Sequence, residues 1–308
     1  MRSIPLCSEP ENLCGFLMKV TQKILLSTVR ELLRGKTAKA ETLVANLPDR
    51  GPCSWHQGFQ KIIALSRALE SGTFESAPYS IFAKSGNSKL PFVSFSSMAV
   101  IDCPGMGACS QWCYSKRAWR YASAALRQAQ NSLLLRYPAG RDMIRAEFAK
   151  LKTDTVRLYV DGDFPDKETL RFWMDTIRER PDISVYGYSK SWQEFLALHL
   201  EGFAWPENYM LNLSGGSRHE GTAFRRAMMA LPVTRGEFLA VPVSRDHLKN
   251  KAYQSKRNPG FKEYAREVRE NAPGKVFVCP GQCGQCMAAA HACGSEKMRG
   301  VTIAIGTH

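Results

Sequence analysis

The sequence contains no uninterrupted run of about 18 apolar residues, the length that a membrane-spanning helix requires. Its first residues, MRSIPLCSEPENLCGFLMKV, lack the basic head and the continuous apolar stretch of a secretory signal peptide. Internal repeats, low-complexity tracts and an arginine-rich tail are also missing. We therefore expect a folded cytoplasmic protein without a membrane segment.

Acidic residues are few, because 28 Asp and Glu stand against 42 Lys and Arg, and the formal net charge is +14. A positive surplus of this size favours contact with polyanions, chiefly nucleic acid. No helix-turn-helix or zinc-finger pattern accompanies the charge. Nucleic acid is therefore the predicted partner, and the alternative is a basic protein that has no such partner.

Cysteine, by contrast, is abundant, and seven of the ten cysteines fall into two clusters. The first cluster has the spacing C-x5-C-x3-C and consists of Cys103, Cys109 and Cys113. The second has the spacing C-x3-C-x2-C-x6-C and consists of Cys279, Cys283, Cys286 and Cys293. Since the cytoplasm keeps thiols reduced, clusters of this kind indicate metal ligands before they indicate disulfides.

Four thiolates can saturate a 4Fe–4S cluster or close a structural zinc site. Three thiolates leave one coordination position open for a substrate or cofactor, although the same trio also suits a structural knuckle. Gly105 and Gly107 let the backbone fold tightly around a metal in the first cluster. The spacings predict metal binding but do not distinguish zinc from iron–sulphur. We expect one or two 4Fe–4S clusters, with zinc as the alternative.

Short strands and helices alternate from about residue 90 onward, which predicts parallel βα units. One of the predicted helices covers residues 115–137, and apolar residues at helical spacing predict further helices between residues 14 and 71. We therefore predict an α/β protein, a partial (βα)6-type parallel barrel with an N-terminal helical cap and a C-terminal cysteine-rich metal loop. The predicted domains are a helical region, 1–75, and a barrel domain, 76–308, which includes the loop at 279–293.

Polar residues and cysteines follow the predicted strand ends: Cys103, Asp161, Ser189, Ser214, Ser244 and Cys279. Carboxyl ends of parallel strands meet at the edge where ligands bind, so we expect these residues to share one mouth. In that mouth Asp161, Asp163 and Lys190 are the predicted catalytic groups. The plainer alternatives are a helix cap for the carboxylates and a solvent-facing side chain for the lysine. The predicted cofactor-binding residues are Asp161, Gly162, Asp163, Tyr188, Ser214 and Gly215.

Six stretches resemble the gene product 88-like family of phages and plasmids, in the same order along residues 85–308. They are GNSKL (86–90), CPGMGACSQWCYSKRAWRY, RLYVDGDF, PDISVYGYSKSW, NLSGG and VCPGQCGQC. The resemblance implies an origin in a mobile genetic element.

A looser resemblance is to radical S-adenosylmethionine enzymes, which are partial (βα)6 barrels with three cysteines after the first strand and an aromatic residue before the third. Here Trp112 precedes Cys113, although the spacing departs from the usual C-x3-C-x2-C. The resemblance implies a catalytic cluster on the first three cysteines, an auxiliary cluster on the other four, and radical modification of a substrate such as nucleic acid. The alternative is a non-catalytic nucleic-acid-binding protein, stabilised by zinc or a cluster, that serves regulation, replication or defence.

Overall fold

The computed structural model describes residues 11–47, 54–84, 90–111, 113–221, 223–252, 255–283, 286 and 291–307. The chain divides into two compact units. The helical unit comprises Met1–Ser80 and Cys113–Met143, and the sheet unit comprises Ile81–Trp112 and Ile144–His308. Among the described helices, none combines the length and the apolar character that crossing a membrane would need.

Within the described part of the helical unit six helices lie or begin: α1 Glu11–Leu32, α2 Thr37–Ala45, α3 Ser54–Ser71, α4 Ser115–Ala118, α5 Ala122–Leu134 and α6 Pro138–Ala149. Helix α2 packs against α1 and α3, and α3 also packs against α5. Val29 of α1 and Ile62 of α3 are fully buried, as amphipathic helices require. The position of these helices as a cap on the sheet, and the domain boundary at residue 75, stay predictions.

The helix predicted over residues 115–137 is wrong as a single element, because the structure divides it into α4 and α5. Between them the Trp119 side chain is buried, and its indole Nε1 donates to Gln128 Oε1 at 2.8 Å. Tyr121 then adopts an extended backbone, φ −99° and ψ 108°, at the start of α5. Burial of Trp119 therefore interrupts the helix, which the local helix propensity alone would continue.

The described residues of the sheet unit form seven strands, all parallel: β1 Val93–Ser94, β2 Thr155–Leu158, β3 Ser184–Ser189, β4 Tyr209–Ser214, β5 Thr234–Pro242, β6 Val276–Val278 and β7 Thr302–Thr307. Their order is β1-β2-β3-β4-β5-β7-β6, so the last strand lies inside the sheet. The described helices between them are α7 Lys167–Arg178, α8 Trp192–Leu200, α9 Ala223–Met229, α10 Arg245–Lys249 and α11 Phe261–Asn271. The predicted parallel α/β architecture is confirmed, whereas the partial barrel stays a prediction.

The strand that was predicted to end at Cys103 is much shorter in the structure, since β1 ends at Ser94, nine positions before that cysteine. Beyond β1 the chain pairs irregularly with the loop after β2, where Ser97 N donates to the Asp161 carbonyl at 3.0 Å. Val100 has a positive φ of 72°, which a regular strand does not allow. Cys103 therefore follows an irregular loop rather than a strand end.

The two faces of the sheet carry different elements. Helix α11 packs on one face, where Tyr264 and Val268 meet Val278 of β6 and Ala304 of β7. The opposite face, which we call the cysteine face, consists of Tyr186, Tyr188, Met210, Phe238, Phe277 and Ile303. Successive strand residues point to opposite faces, so Phe277 lies on the cysteine face and Val278 on the other.

Candidate metal centre

The second cysteine cluster follows β6 directly and packs on the cysteine face. Cys279 comes immediately after the strand, and its N–H donates to the Ala304 carbonyl at 2.7 Å. Cys286 and Cys293 are buried against the same apolar surface, together with Ala292. This placement brings thiols from distant parts of the segment under one dry face of the sheet.

Backbone N–H groups are directed at two of the sulfur atoms. Gly281 N donates to Cys279 Sγ at 3.4 Å, and Ala292 N donates to Cys286 Sγ at 3.2 Å. Gly281 has a φ of 73°, so its turn is one that glycine adopts without strain. Hydrogen bonds to cysteine sulfur stabilise thiolates and tune metal centres that the thiolates hold.

The four thiols also lie within electrostatic range of one another. Burial raises the pKa of Cys279, and negative charge on Cys293, Cys283 and Cys286 raises it further. Burial likewise raises the pKa of Cys293 to about 11, which the Tyr188 hydroxyl and the Arg235 guanidinium oppose. Without a metal Cys279 and Cys293 are therefore protonated at neutral pH, and a metal would displace their protons.

Two polar groups of the sheet face Cys283. Arg157 of β2 lies in register with Tyr186 of β3, and its guanidinium sits 4.7 Å from the centre of the Tyr188 ring. Burial raises the pKa of Cys283, while the charge of Arg157 and the polar Tyr186 and Arg157 side chains beside the thiol lower it. In the described part of the chain no partner lies within hydrogen-bond distance of the buried Tyr186 hydroxyl, which is therefore available to a sulfur ligand.

Arg235 is a fully buried cation beneath the same segment. Its guanidinium donates to Asn212 Oδ1 at 2.7 Å and to the carbonyls of Met298, Val301 and Glu237. Burial lowers the pKa of Arg235, and negative charge on Cys293 and Tyr188 raises it. Burying a charge is costly unless an opposite charge accompanies it, so this guanidinium favours a thiolate at Cys293.

Asn212 of β4 connects the cation to the cysteine segment. While its Oδ1 accepts from Arg235, its Nδ2 donates to the Cys293 carbonyl at 2.9 Å and to the Gly187 carbonyl at 3.1 Å. The register of β4 and β5 shifts between Leu211 and Asn212, which accommodates Arg235. Nothing in the strand patterns distinguished Asn212, Arg157 and Arg235, so sequence analysis missed them.

The residues present fit a thiolate-bound centre in charge and in hydrogen bonding. Four thiolates around Zn²⁺, or around an oxidised 4Fe–4S core, leave about two units of negative charge. Two guanidinium groups lie beside the thiols to balance that charge. In the part of the chain that the structure describes, however, no three His, Cys, Asp or Glu side chains form a group that could hold a metal ion. Metal ligation by these cysteines therefore stays a prediction.

Asp163 is buried behind the end of β3. Its Oδ1 accepts from Phe164 N at 2.8 Å and from Ser189 Oγ at 2.7 Å, and its Oδ2 accepts from Lys190 N at 2.7 Å. Burial raises its pKa, and these three donors oppose that effect. Because both oxygens bind internal donors, Asp163 positions Lys190, whose Nζ reaches Ser214 Oγ at 2.7 Å.

Asp161 and Gly162 form a turn against the loop that follows β1. Ser96 Oγ lies 3.4 Å from Asp161 Oδ2 and 3.3 Å from Asp161 N. Gly162 has a φ of 79°, and a Cβ there would lie 2.2 Å from Ser97 Oγ. The helix cap near this turn belongs to Asp166, whose side chain accepts from Thr169 N.

The loop of the first cysteine cluster contacts the ends of β3 and β4. A Cβ on Gly105 would meet the Lys190 carbonyl, and Gly107 N donates to the Gly216 carbonyl at 3.1 Å. Burial raises the pKa of Cys103, the Asp163 carboxylate raises it further, and Lys190 opposes both. Cys103, Asp163, Lys190 and Ser214 therefore share one side of the sheet unit.

The other predicted residues are more dispersed. Cys109 lies in a short 3-10 turn of the sheet unit, whereas Cys113 belongs to the helical unit. Gly215 N donates to the Phe238 carbonyl at 2.9 Å, and Ser244 caps α10 by accepting from Asp246 N. Trp112, the aromatic residue before Cys113, and residues 86–89 of the GNSKL stretch lie outside the described residues.

Comparison with known proteins identifies one family. The family model described as Gene product 88 matches residues 64–295, well over half of the chain. No curated protein and no solved structure matches the sequence. The resemblance to radical S-adenosylmethionine enzymes is not shown by these comparisons and stays a prediction. This match, which covers both cysteine clusters, means that the chain belongs to the Gene product 88 family.

Proposed function

We propose that this protein is an iron–sulphur protein of a mobile genetic element that acts on nucleic acid, with a cluster held by Cys279, Cys283, Cys286 and Cys293. The observation that carries the proposal is Arg235, a fully buried guanidinium whose hydrogen-bond acceptors are an amide and three carbonyls. Its charge needs a counter-ion, and a metal-bound Cys293 thiolate would supply one.

The surroundings of the other thiols support the same centre. Arg157 provides a second cation beside Cys283, and the Tyr186 and Tyr188 hydroxyls face Cys283 and Cys293. Hydrogen bonds to sulfur and solvent exclusion are the features by which proteins set the reduction potential of an iron–sulphur cluster. The cluster would supply electron transfer or radical chemistry, and the chain would bind, orient and insulate it.

Zinc is the second candidate for this site, because the N–H donors to Cys279 and Cys286 would serve a tetrahedral zinc ion equally well. A zinc centre would make the protein a non-catalytic nucleic-acid-binding module. Nucleic acid as the partner rests on the formal charge of +14, and the mobile-element origin rests on the family.

The radical S-adenosylmethionine part of the proposal rests on the three clustered cysteines, Cys103, Cys109 and Cys113, and on the aromatic Trp112 before the third. In such an enzyme a carboxylate of the Asp161–Asp163 turn would receive the ammonium group of the cofactor. Because both oxygens of Asp163 accept from internal donors, Asp161 is the better candidate for this role. Binding of S-adenosylmethionine to the anaerobic protein, measured by calorimetry, tests it.

The first experiment is anaerobic purification, followed by a visible spectrum and assays of iron, sulphide and zinc. We expect a brown protein with about four irons and four sulphides for each cluster. A double Cys286→Ser, Cys293→Ser variant should lose the iron and sulphide of the cluster that these cysteines hold, whereas the variant Cys7→Ser, outside both clusters, should keep the wild-type content. A colourless protein with one zinc ion would refute the iron–sulphur cluster and support the zinc site. A metal-free soluble protein would refute both.

A further inference from the structure

A short segment of the helical unit displays two tyrosines and two arginines around α4. Tyr114 and Tyr121 are 56% and 63% exposed, unusually high values for aromatic side chains in this chain. Arg117 and Arg120 are exposed between them, and the Arg120 guanidinium lies 6.0 Å from the centre of the Tyr121 ring. We call these four residues the tyrosine–arginine surface.

The backbone that carries this surface is held in place from behind. Ser115 and Trp119, one helical turn apart, are buried, and the Trp119 indole donates to Gln128. Gln22 Nε2 of α1 donates to the Lys116 carbonyl at 2.9 Å. A surface fixed in this way binds with a smaller loss of conformational entropy than a mobile loop would.

The surface also lies in a part of the chain that is free of acidic residues. Between Asp102 and Asp142 there is no Asp or Glu, while six Lys and Arg occur: Lys116, Arg117, Arg120, Arg127, Arg136 and Arg141. Some other exposed arginines are paired with carboxylates, for example Arg178 with Asp175 and Arg299 with Glu296. Within the described residues, neither Arg117 nor Arg120 has such an ion pair.

We propose that the tyrosine–arginine surface binds single-stranded nucleic acid. Aromatic rings that stack on bases, next to arginines that contact phosphates, are the means by which proteins bind single strands. A base inside a duplex is already stacked on its neighbours and offers no free face to a tyrosine, so a duplex should bind more weakly. The inference specifies the nucleic-acid part of the proposed function and is independent of the metal.

The test uses the full chain and labelled oligothymidine and oligouridine of about 20 nucleotides, longer than one site. The variants are Tyr114→Ala with Tyr121→Ala, and Arg117→Gln with Arg120→Gln. Matched controls are Phe224→Ala for an exposed aromatic ring, and Arg266→Gln with Arg269→Gln on α11 for the same loss of charge. Circular dichroism verifies that each variant is folded.

We expect the tyrosine variant to raise the Kd for single strands at least about tenfold. The arginine variant should lower the slope of log K against log salt by about 1.4, which is two phosphate contacts at roughly 0.7 each. If wild type binds single strands but these variants behave like their controls, this inference fails while the nucleic-acid partner stands. If the wild-type protein binds no oligonucleotide, or binds only anionic vesicles, both this inference and the nucleic-acid part of the proposed function fail. Variants with surface substitutions are expected to fold. If the tyrosine variant nevertheless fails to fold, the arginine variant still decides the test.

Discussion

Replacement of Asp163 by asparagine tests whether the carboxylate holds the end of β3. Both carboxylate oxygens accept hydrogen bonds, at 2.7–2.8 Å, from Phe164 N, Ser189 Oγ and Lys190 N. An asparagine oxygen can replace only one of the two acceptors, so its NH₂ group must face a buried donor. A lost charge-assisted hydrogen bond and an unsatisfied donor together predict a loss of about 2–4 kcal/mol in the free energy of unfolding.

Thermal unfolding followed by circular dichroism measures this loss, at roughly 2–4 °C for each kcal/mol in a domain of this size. The matched control is Asp166→Asn in the same loop. Asp166 accepts a hydrogen bond from Thr169 N at a helix N-cap, where asparagine serves as well as aspartate. Equal melting temperatures for Asp163→Asn and wild type would show that this carboxylate does not hold the end of β3.

Three further predictions concern the sheet unit. Burial raises the Asp163 pKa above 3.8, so the folded chain binds the Asp163 proton more tightly than the unfolded chain does. The stability that this proton contributes is full below the unfolded pKa and is lost as pH rises through the folded pKa. Denaturation at several pH values should show this decrease in stability in wild type but not in Asp163→Asn. Gly162→Ala should destabilise the fold more than Gly202→Ala does. Both glycines have φ above 70°, but only at Gly162 would the Cβ clash, 2.2 Å from Ser97 Oγ. Equal losses in the free energy of unfolding, measured with urea, would contradict the close packing at Gly162. Asn212→Leu should cost about 3 kcal/mol or more, since it removes the Asn212 acceptor of the buried Arg235 and the Asn212 donor to the Cys293 carbonyl. An unchanged urea midpoint would contradict this role of Asn212.

Much of the fold follows from local pattern in the sequence. The helix α7 stripe, Leu170, Trp173, Met174 and Ile177, is fully buried, as apolar residues at helical spacing predict. Alternating strands and helices predicted a parallel sheet, which the structure has. The insertion of β7 between β5 and β6 was not predictable in this way, because strand order depends on long-range pairing rather than on local periodicity.

The candidate site was predictable only in its cysteines and strand-end loops. Spacing identified the second cluster, but the Arg157 and Arg235 side chains that balance its charge lie inside strands, where an arginine usually points to solvent. The β-bulge at Leu211 and Asn212 that admits Arg235 has no sequence signature. Asp163 was predicted as a catalytic group. Its three internal donors could not be predicted, because they reach Asp163 only when the fold brings the end of β3 next to the loop that contains Asp163.

The most direct test of the account is X-ray absorption at the metal edge of the anaerobically purified full chain. If Cys279, Cys283, Cys286 and Cys293 hold the centre, the first coordination shell consists of sulfur at about 2.3 Å. A second shell of iron would identify a cluster, and its absence a single ion. In a Cys279→Ser, Cys293→Ser variant this sulfur signal should diminish or the metal should be lost. A first shell of nitrogen or oxygen, or a spectrum that these substitutions leave unchanged, would contradict the central claim.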